Sequence, residues 1–74
     1  MQNEEEDERD NQVEGRVVES LPATLFRVET KDGEKILSYL GGRMRVHKIK
    51  ILVGDKVLVQ KDVYGGKGRI IKRL

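Results

Sequence analysis

Apolar and polar residues alternate with a period of two through most of the chain after residue 12, which is the pattern of half-buried β-strands. The runs are short, rich in Val, Ile and Leu, and separated by Gly, Pro and Asp. This pattern predicts five strands, at residues 13–20, 24–30, 34–40, 56–61 and 69–72. In the second strand, Phe26 and Val28 share the face that we expect to be buried.

Turn and break signals separate the predicted strands. Pro22 ends the first strand because proline has no N–H to donate to a β-ladder. Asp32-Gly33 predicts a hairpin between the second and third strands, since glycine adopts positive φ without steric cost. Gly15, inside the first strand, predicts a bulge or tight curvature of the kind that a small closed barrel needs.

The longest connection lies between the third and fourth strands. Five short strands with one long connection are the plan of the OB-fold, a five-stranded Greek-key barrel. An SH3-like barrel has similar strand content and is the alternative. The long connection favours the OB-fold, with a short helical turn between strands 3 and 4. We therefore predict an all-β chain with one folded domain, residues 13–74.

This connection, from Gly41 to Val57, also concentrates positive charge, with no acid before Asp55. Neither a helical nor a strand period places its basic residues on one face. We predict that it projects cations in several directions and that Ile49, Ile51 and Val53 anchor its second half. The basic residues that precede Asp55 are Arg43, Arg45, His47, Lys48 and Lys50.

Charge is distributed unevenly along the 74 residues, although the net charge is only +2. Residues 1–12 carry six acids and one base, whereas residues 13–74 carry fourteen Lys or Arg and seven Asp or Glu, a net +7. Such a field favours a polyanionic partner, above all a nucleic acid. An anionic membrane is the rival, but no basic amphipathic helix supports it.

Residues 1–12 have one apolar residue, Met1, and a dense block of like charge. We predict a disordered acidic tail because such a segment cannot bury enough surface to offset the entropy of ordering. Two interpretations remain open. The tail is a solubilising extension, or it is an arm that folds back on the basic face and competes with RNA.

The residues that enzymes, metal sites and membrane spans need are scarce. The chain has no cysteine, a single histidine and no metal-ligand spacing. The segment 65–68, GGKG, lacks the GxxxxGK[ST] pattern and precedes a strand. We therefore expect a non-enzymatic protein without cofactor or metal. No apolar run is long enough to cross a bilayer, and the acidic start is unlike a secretory signal, so we expect a soluble cytoplasmic protein.

The aromatic residues are Phe26, Tyr39 and Tyr64. Tyr39 is either a stacking platform or a barrel residue with a solvated hydroxyl, and Tyr64 lies in a loop. General single-strand binders use several stacking platforms, so recognition of a folded RNA by shape and phosphate contacts fits this chain better. Further cations lie on or beside the strands, at Arg16, Arg27, Lys35, Lys67, Arg69, Lys72 and Arg73.

Three segments together resemble the bacterial translation initiation factor one family, over about residues 13–72. They are VEGRVVESLPATLFRVET, KDGEKILSYLGGRMRVHKIKILVGDKV and KGRII. The motifs that carry the resemblance are ESLP-x-x-x-FRV, G-[KR]-M-R and I-[KR]-I-L-x-GDKV, in this order and spacing.

The resemblance implies a single OB-fold domain that binds the decoding A site of the small ribosomal subunit. It implies contacts with rRNA and a neighbouring ribosomal protein, a block of premature tRNA entry, and support of the other initiation factors. Binding of DNA or membrane is not expected, and the free protein is expected to be a monomer. The alternatives are a general RNA chaperone of the cold-shock type and an assembly protein whose basic face contacts an acidic protein.

The resemblance also assigns candidate rRNA-binding residues. Arg43, Met44 and Arg45 match the family's basic connector, and Lys50 matches a position that is usually Arg. Lys48 stands where the family often has an aromatic residue, and Tyr39 where it often has His. The full predicted set is Arg27, Tyr39, Arg43, Met44, Arg45, His47, Lys48, Lys50, Lys67 and Arg69.

Overall fold

The computed structural model describes residues 11–74, which form five strands, a 3₁₀ turn at Pro22–Thr24 and one short α-helix. The helix, α1, spans Gly42–Val46. The strands are β1 (Gln12–Leu21), β2 (Leu25–Thr30), β3 (Lys35–Leu40), β4 (Lys56–Gln60) and β5 (Gly68–Arg73). Residues 1–10 of the predicted tail lie outside the described residues, whereas Gln12 opens β1.

The five strands close into a barrel in the order β1-β2-β3-β5-β4. β3 and β5 run parallel, and the other neighbouring pairs are antiparallel. This is the OB-fold that the sequence predicts. Closure pairs each of the five described strands on both sides, so residues 11–74 present no open sheet edge to another chain.

The barrel interior is filled by inward-facing residues from all five strands and from the connection that contains α1. Phe26 and Val28 are buried, as their alternation predicts. Met44 is the buried residue of α1, so the helix closes one end of the barrel with this side chain. The core consists of Val17, Phe26, Val28, Ile36, Met44, Ile51, Val57, Val59 and Ile70.

Gly15 marks a close approach between β1 and β2. A Cβ atom at this position would lie 2.5 Å from Val28 Cγ1 and 2.9 Å from the Glu29 carbonyl oxygen, so the two strands approach this closely only because residue 15 has no side chain. The register irregularity of the β1–β2 pair falls between Val17 and Glu19, two residues further along. The predicted bulge does not fall on Gly15, and the tight curvature stays a prediction.

The second half of the connection is anchored differently from the prediction. Ile51 is buried and Ile49 packs against the core, but Val53 is 58% exposed. The alternation ends at Leu52 because a turn begins there. The Asp55 N–H donates to the Leu52 carbonyl at 3.0 Å, and the Asp55 carboxylate accepts the Leu52 N–H at 2.8 Å. Val53 therefore sits at the tip of a turn and not on a strand face.

Candidate nucleic-acid interface

Helix α1 presents its cations to solvent because Met44 holds the opposite side of the helix in the barrel. Met44 is only 2% exposed, whereas Arg43, Arg45 and His47 are exposed. Met44 belongs to the predicted binding set, but its burial leaves no side-chain atoms for a direct ligand contact. Its position in the core instead fixes the directions in which the neighbouring cations project.

The C-terminal end of α1 turns the chain sharply and exposes one more cation. The N–H of Lys48 donates to the Arg45 carbonyl at 3.1 Å, and the N–H of Ile49 donates to the Met44 carbonyl at 3.0 Å. These two bonds form a Schellman motif, in which the residue after the C-cap adopts the left-handed conformation. Lys48 has φ 52° and fills that position, which glycine usually occupies.

The end of β5 adds a second source of positive charge beside α1. Arg43, His47, Lys72 and Arg73 line one shallow depression together with apolar residues of α1 and β5. Arg73 also donates from Nη1 to the carbonyl of Lys50 at 3.1 Å, which ties β5 to the connection. Charges that are about 25 residues apart in sequence therefore lie around one surface.

Arg69 links this surface to a third group of polar residues. It lies opposite Tyr39 in the parallel β3–β5 register, and its stem runs along the start of α1. A Cβ atom on Gly41 would lie 3.3 Å from Arg69 Cγ, and the Gly41 N–H donates to the Ile70 carbonyl at 2.9 Å. A depression around this site is lined by Tyr39, Gln60, Lys61, Asp62, Val63, Lys67 and Arg69.

Three ion pairs in residues 11–74 show which cations are compensated, that is, paired with a neighbouring acid. Arg27, Lys56 and Lys61 pair with acids, and none of the exposed cations of α1 or β5 does. Arg27 pairs with Glu19, and its backbone lies opposite Leu37 in the β2–β3 register. We call the uncompensated cations of α1, of the residues that follow it, and of β5 with the loop before it the cationic surface, which comprises Arg43, Arg45, His47, Lys48, Lys50, Lys67, Arg69, Lys72 and Arg73. Arg16, Lys31 and Lys35 also have no acidic partner among residues 11–74, but they lie on β1, in the β2–β3 turn and on β3.

The structure therefore unites most of the predicted binding residues and leaves two apart. Arg43, Arg45, His47, Lys48 and Lys50 surround α1, and Lys67, Arg69 and Tyr39 adjoin it through β5. Arg27 is compensated elsewhere, and Met44 is internal. Lys72 and Arg73 are basic positions outside the predicted site that also lie at this surface. The placement of β5 between β3 and β4 brings them to α1, and no local sequence signal reports that placement.

The loop after β4 carries the most exposed aromatic residue. Tyr64 is 93% exposed at its tip. The Asp62 carboxylate accepts the N–H of Tyr64 at 3.1 Å and that of Gly66 at 3.0 Å. These bonds give the loop a defined turn next to Lys67.

Other kinds of site find little support in the part of the chain that the structure describes. No group of three or more His, Cys, Asp or Glu residues between 11 and 74 is arranged to hold a metal ion. Among the same residues, no helix is long and apolar enough to span a membrane.

Comparison with known proteins gives both a family and structural neighbours. A family model described as translation initiation factor 1A / IF-1 matches residues 2–74. The solution structure of translation initiation factor one from the Wolbachia endosymbiont strain TRS of Brugia malayi matches with a TM-score of 0.75 and 44% identity, over 85% of this chain and 76% of that one.

Two larger proteins contain a similar barrel. YjeQ from Thermotoga maritima matches with a TM-score of 0.70 and 36% identity, and YloQ, a circularly permuted GTPase, with 0.74 and 24%. Each match covers 85% of this chain but only 22% of the other, so this chain corresponds to about a fifth of either protein. The likeness to YloQ shows the fold alone.

The matching family model extends over almost the whole sequence, and the Wolbachia initiation factor shares the barrel at substantial identity. Members of this family act on the ribosome as factors of translation initiation. The chain belongs to the translation initiation factor 1A / IF-1 family.

Proposed function

We propose that this protein binds the decoding A site of the small ribosomal subunit during initiation, in the cytoplasm. There it occupies the space that an incoming tRNA would take and alters the conformation of the decoding adenines. It contacts rRNA and a neighbouring ribosomal protein and supports the other initiation factors. No catalytic step is involved, because occupancy and distortion of the RNA account for the effect.

The observation that carries this proposal is the cationic surface around α1. Its cations have no acidic partners among the described residues, so their charge is available to RNA phosphates. Release of counterions from rRNA on binding then supplies affinity that falls steeply with salt. Arginine contributes more than charge, since its planar fork donates two hydrogen bonds to a phosphate and stacks on bases.

The positions of the side chains assign different roles to them. Arg43 and Arg45 flank the buried Met44, so a short and anchored helix presents them to the RNA. Lys48 and Lys50 continue the surface beyond the helix. Tyr39, which is 36% exposed beside Arg69, offers a ring on which a base can stack.

Substitution of Arg45 by Asp tests the proposal. Arg45 is exposed and makes no side-chain contact that the fold needs, so Arg45→Asp should leave the unfolding curve unchanged. We expect it to weaken binding to the isolated small subunit at least tenfold at moderate salt, because a contact is lost and a like charge faces phosphate.

The matched control is Lys35→Asp, a charge reversal at an exposed residue of β3 outside the cationic surface. We expect its affinity for the small subunit to fall much less. Equal losses for the two variants would contradict the assignment of the surface. Tight binding of the parent protein to any unstructured RNA, with no preference for the subunit, would favour a general RNA chaperone of the cold-shock type.

A further inference from the structure

The N-terminal segment enters the barrel beside the cationic surface. Asn11 accepts a hydrogen bond at its carbonyl from the Lys61 N–H at 2.8 Å, and Gln12 Nε2 donates to Gln60 Oε1 at 3.2 Å. Gln60 and Lys61 also line the depression that contains Lys67 and Arg69. Asn11, the first described residue, therefore lies beside this depression.

The segment attached there has the opposite charge. Residues 1–10 contain six acids and one base, a net side-chain charge of −5, against +7 for residues 13–74. Ten residues span at most about 33–36 Å when fully extended, and Lys67 and Arg69 line the same depression as Lys61, the hydrogen-bond partner of Asn11. A tethered group of this length has an effective concentration on the order of millimolar at a site within reach, so weak attraction suffices for occupancy.

The nearest uncompensated cations define where such a segment would bind. Lys61, next to the attachment point, is already paired with Glu34 at 3.0 Å, and Lys56 is paired with Glu14 at 3.6 Å. Lys67 and Arg69 have no ion-pair partner among the described residues. They stand between the attachment point and the cations of α1.

We propose that residues 1–10 act as an intramolecular competitor of RNA, by occupying the cationic surface at Lys67 and Arg69. The carboxylates take the place of phosphates, and a polyanion must displace them before it binds. A folded RNA that makes many matched contacts displaces the segment easily, whereas an RNA that binds loosely does not. The consequence for ribosome binding rests on the proposed function, but the occupancy itself does not.

A spin label on the full-length chain tests the occupancy without RNA. The sequence has no cysteine, so Gln2→Cys gives a single attachment point for the label. The matched control carries the same label and chain length, with its six acids replaced by amides: Glu4→Gln, Glu5→Gln, Glu6→Gln, Asp7→Asn, Glu8→Gln and Asp10→Asn. This control keeps the proximity that the attachment point imposes and removes the charge.

At about 20 mM salt, we expect the label to broaden the backbone amide signals of Lys67, Arg69 and Gly41 more strongly in the acidic chain than in the amide control. The difference should disappear near 0.5 M salt, where screening shortens the range of the attraction to a few ångströms. Equal broadening in the two chains at low salt would overturn the proposal, because the contact would then not depend on charge.

Binding of a fluorescent, unstructured oligoribonucleotide provides the second measurement. We expect the amide variant, without the label, to bind several-fold more tightly than the parent at low salt. In a Lys67→Gln/Arg69→Gln background, the same replacement should give a clearly smaller gain. An equal gain in both backgrounds would contradict occupancy of these two residues. Failure of the parent to bind the small subunit would contradict only the proposed function, since neither measurement uses the ribosome.

Discussion

The backbone N–H of Ile49 donates to the carbonyl of Met44 at 3.0 Å, so the chain closes α1 across Lys48, which has φ 52°. The side chains of Met44 and Ile49 pack in or against the core, which fixes the turn. Lys48 is thereby held in a left-handed conformation that costs a non-glycine residue about 1–2 kcal/mol. Lys48 is therefore a cation placed on the surface at the expense of stability.

Replacement of Lys48 by glycine should stabilise the fold and weaken RNA binding. Relief of the left-handed strain exceeds the entropy that glycine loses on folding, and we expect a net gain of about 0.5–1 kcal/mol. For a domain of this size, that gain raises Tm by roughly 2–8 °C. Thermal unfolding measures the first effect and small-subunit affinity the second. Lys48→Asn is the control, because Asn tolerates this conformation and also removes the charge. A Tm below that of the parent for Lys48→Gly would contradict the account.

The side chain of Met44 should contribute to stability far more than to binding. Its truncation in Met44→Ala leaves a cavity at the end of the barrel, which we expect to lower the free energy of unfolding by about 2–5 kcal/mol. Met44→Leu conserves most of the volume and should cost less than about 1.5 kcal/mol. Urea unfolding measures both values. If Met44→Leu keeps its stability yet loses subunit affinity, Met44 contacts the ligand directly, contrary to its burial.

Alanine replacements at two glycines should distinguish a glycine that is required for the close approach of β1 and β2 from one that affects only backbone entropy. A Cβ at Gly15 would meet Val28 and the backbone of Glu29, so Gly15→Ala should destabilise the fold by about 1–3 kcal/mol. Gly42, at the start of α1, has nothing within 4 Å of its added Cβ. Gly42→Ala should therefore stabilise the fold by about 0.4–1 kcal/mol, through the unfolded state. Chemical unfolding that ranked the two variants in the opposite order would refute this interpretation of Gly15.

The salt dependence of binding should distinguish compensated from uncompensated arginines. Arg45→Gln removes a cation without an acidic partner, so it should reduce the slope of log affinity against log salt by about 1. Arg27→Gln removes a cation that Glu19 already neutralises, and it should leave the slope nearly unchanged. Titration of small subunits across a salt series gives both slopes. Equal reductions would show that the Arg27–Glu19 pair opens on binding.

The sequence predicts the barrel well because its strands alternate and its turns carry specific residues. Phe26 and Val28 point inward as their spacing requires, and Asp32-Gly33 forms the hairpin, with the Thr30 N–H donating to the Glu34 carbonyl at 2.8 Å. The error at Val53 has a local cause. The Asp55 carboxylate fixes a turn that interrupts the alternation, and periodicity alone cannot report a side-chain hydrogen bond.

The sequence predicts the candidate site less completely than it predicts the fold. The concentration of positive charge and the family resemblance both indicate the basic connection, and the structure shows its cations exposed around α1. The resemblance could not show that Arg27 is paired with Glu19, nor that Arg73 reaches the carbonyl of Lys50, because both contacts depend on register and closure of the barrel. Charge composition reports how many cations a chain has, whereas the fold decides which of them remain uncompensated.

The most direct test of the central claim is a chemical footprint of small-subunit rRNA, with the parent protein and with Arg45→Asp at equal concentration. We predict altered reactivity confined to the decoding-site adenines and their helix with the parent protein, and its loss with the variant. Diffuse protection across the rRNA, or no protection at near-physiological salt, would contradict binding at the A site.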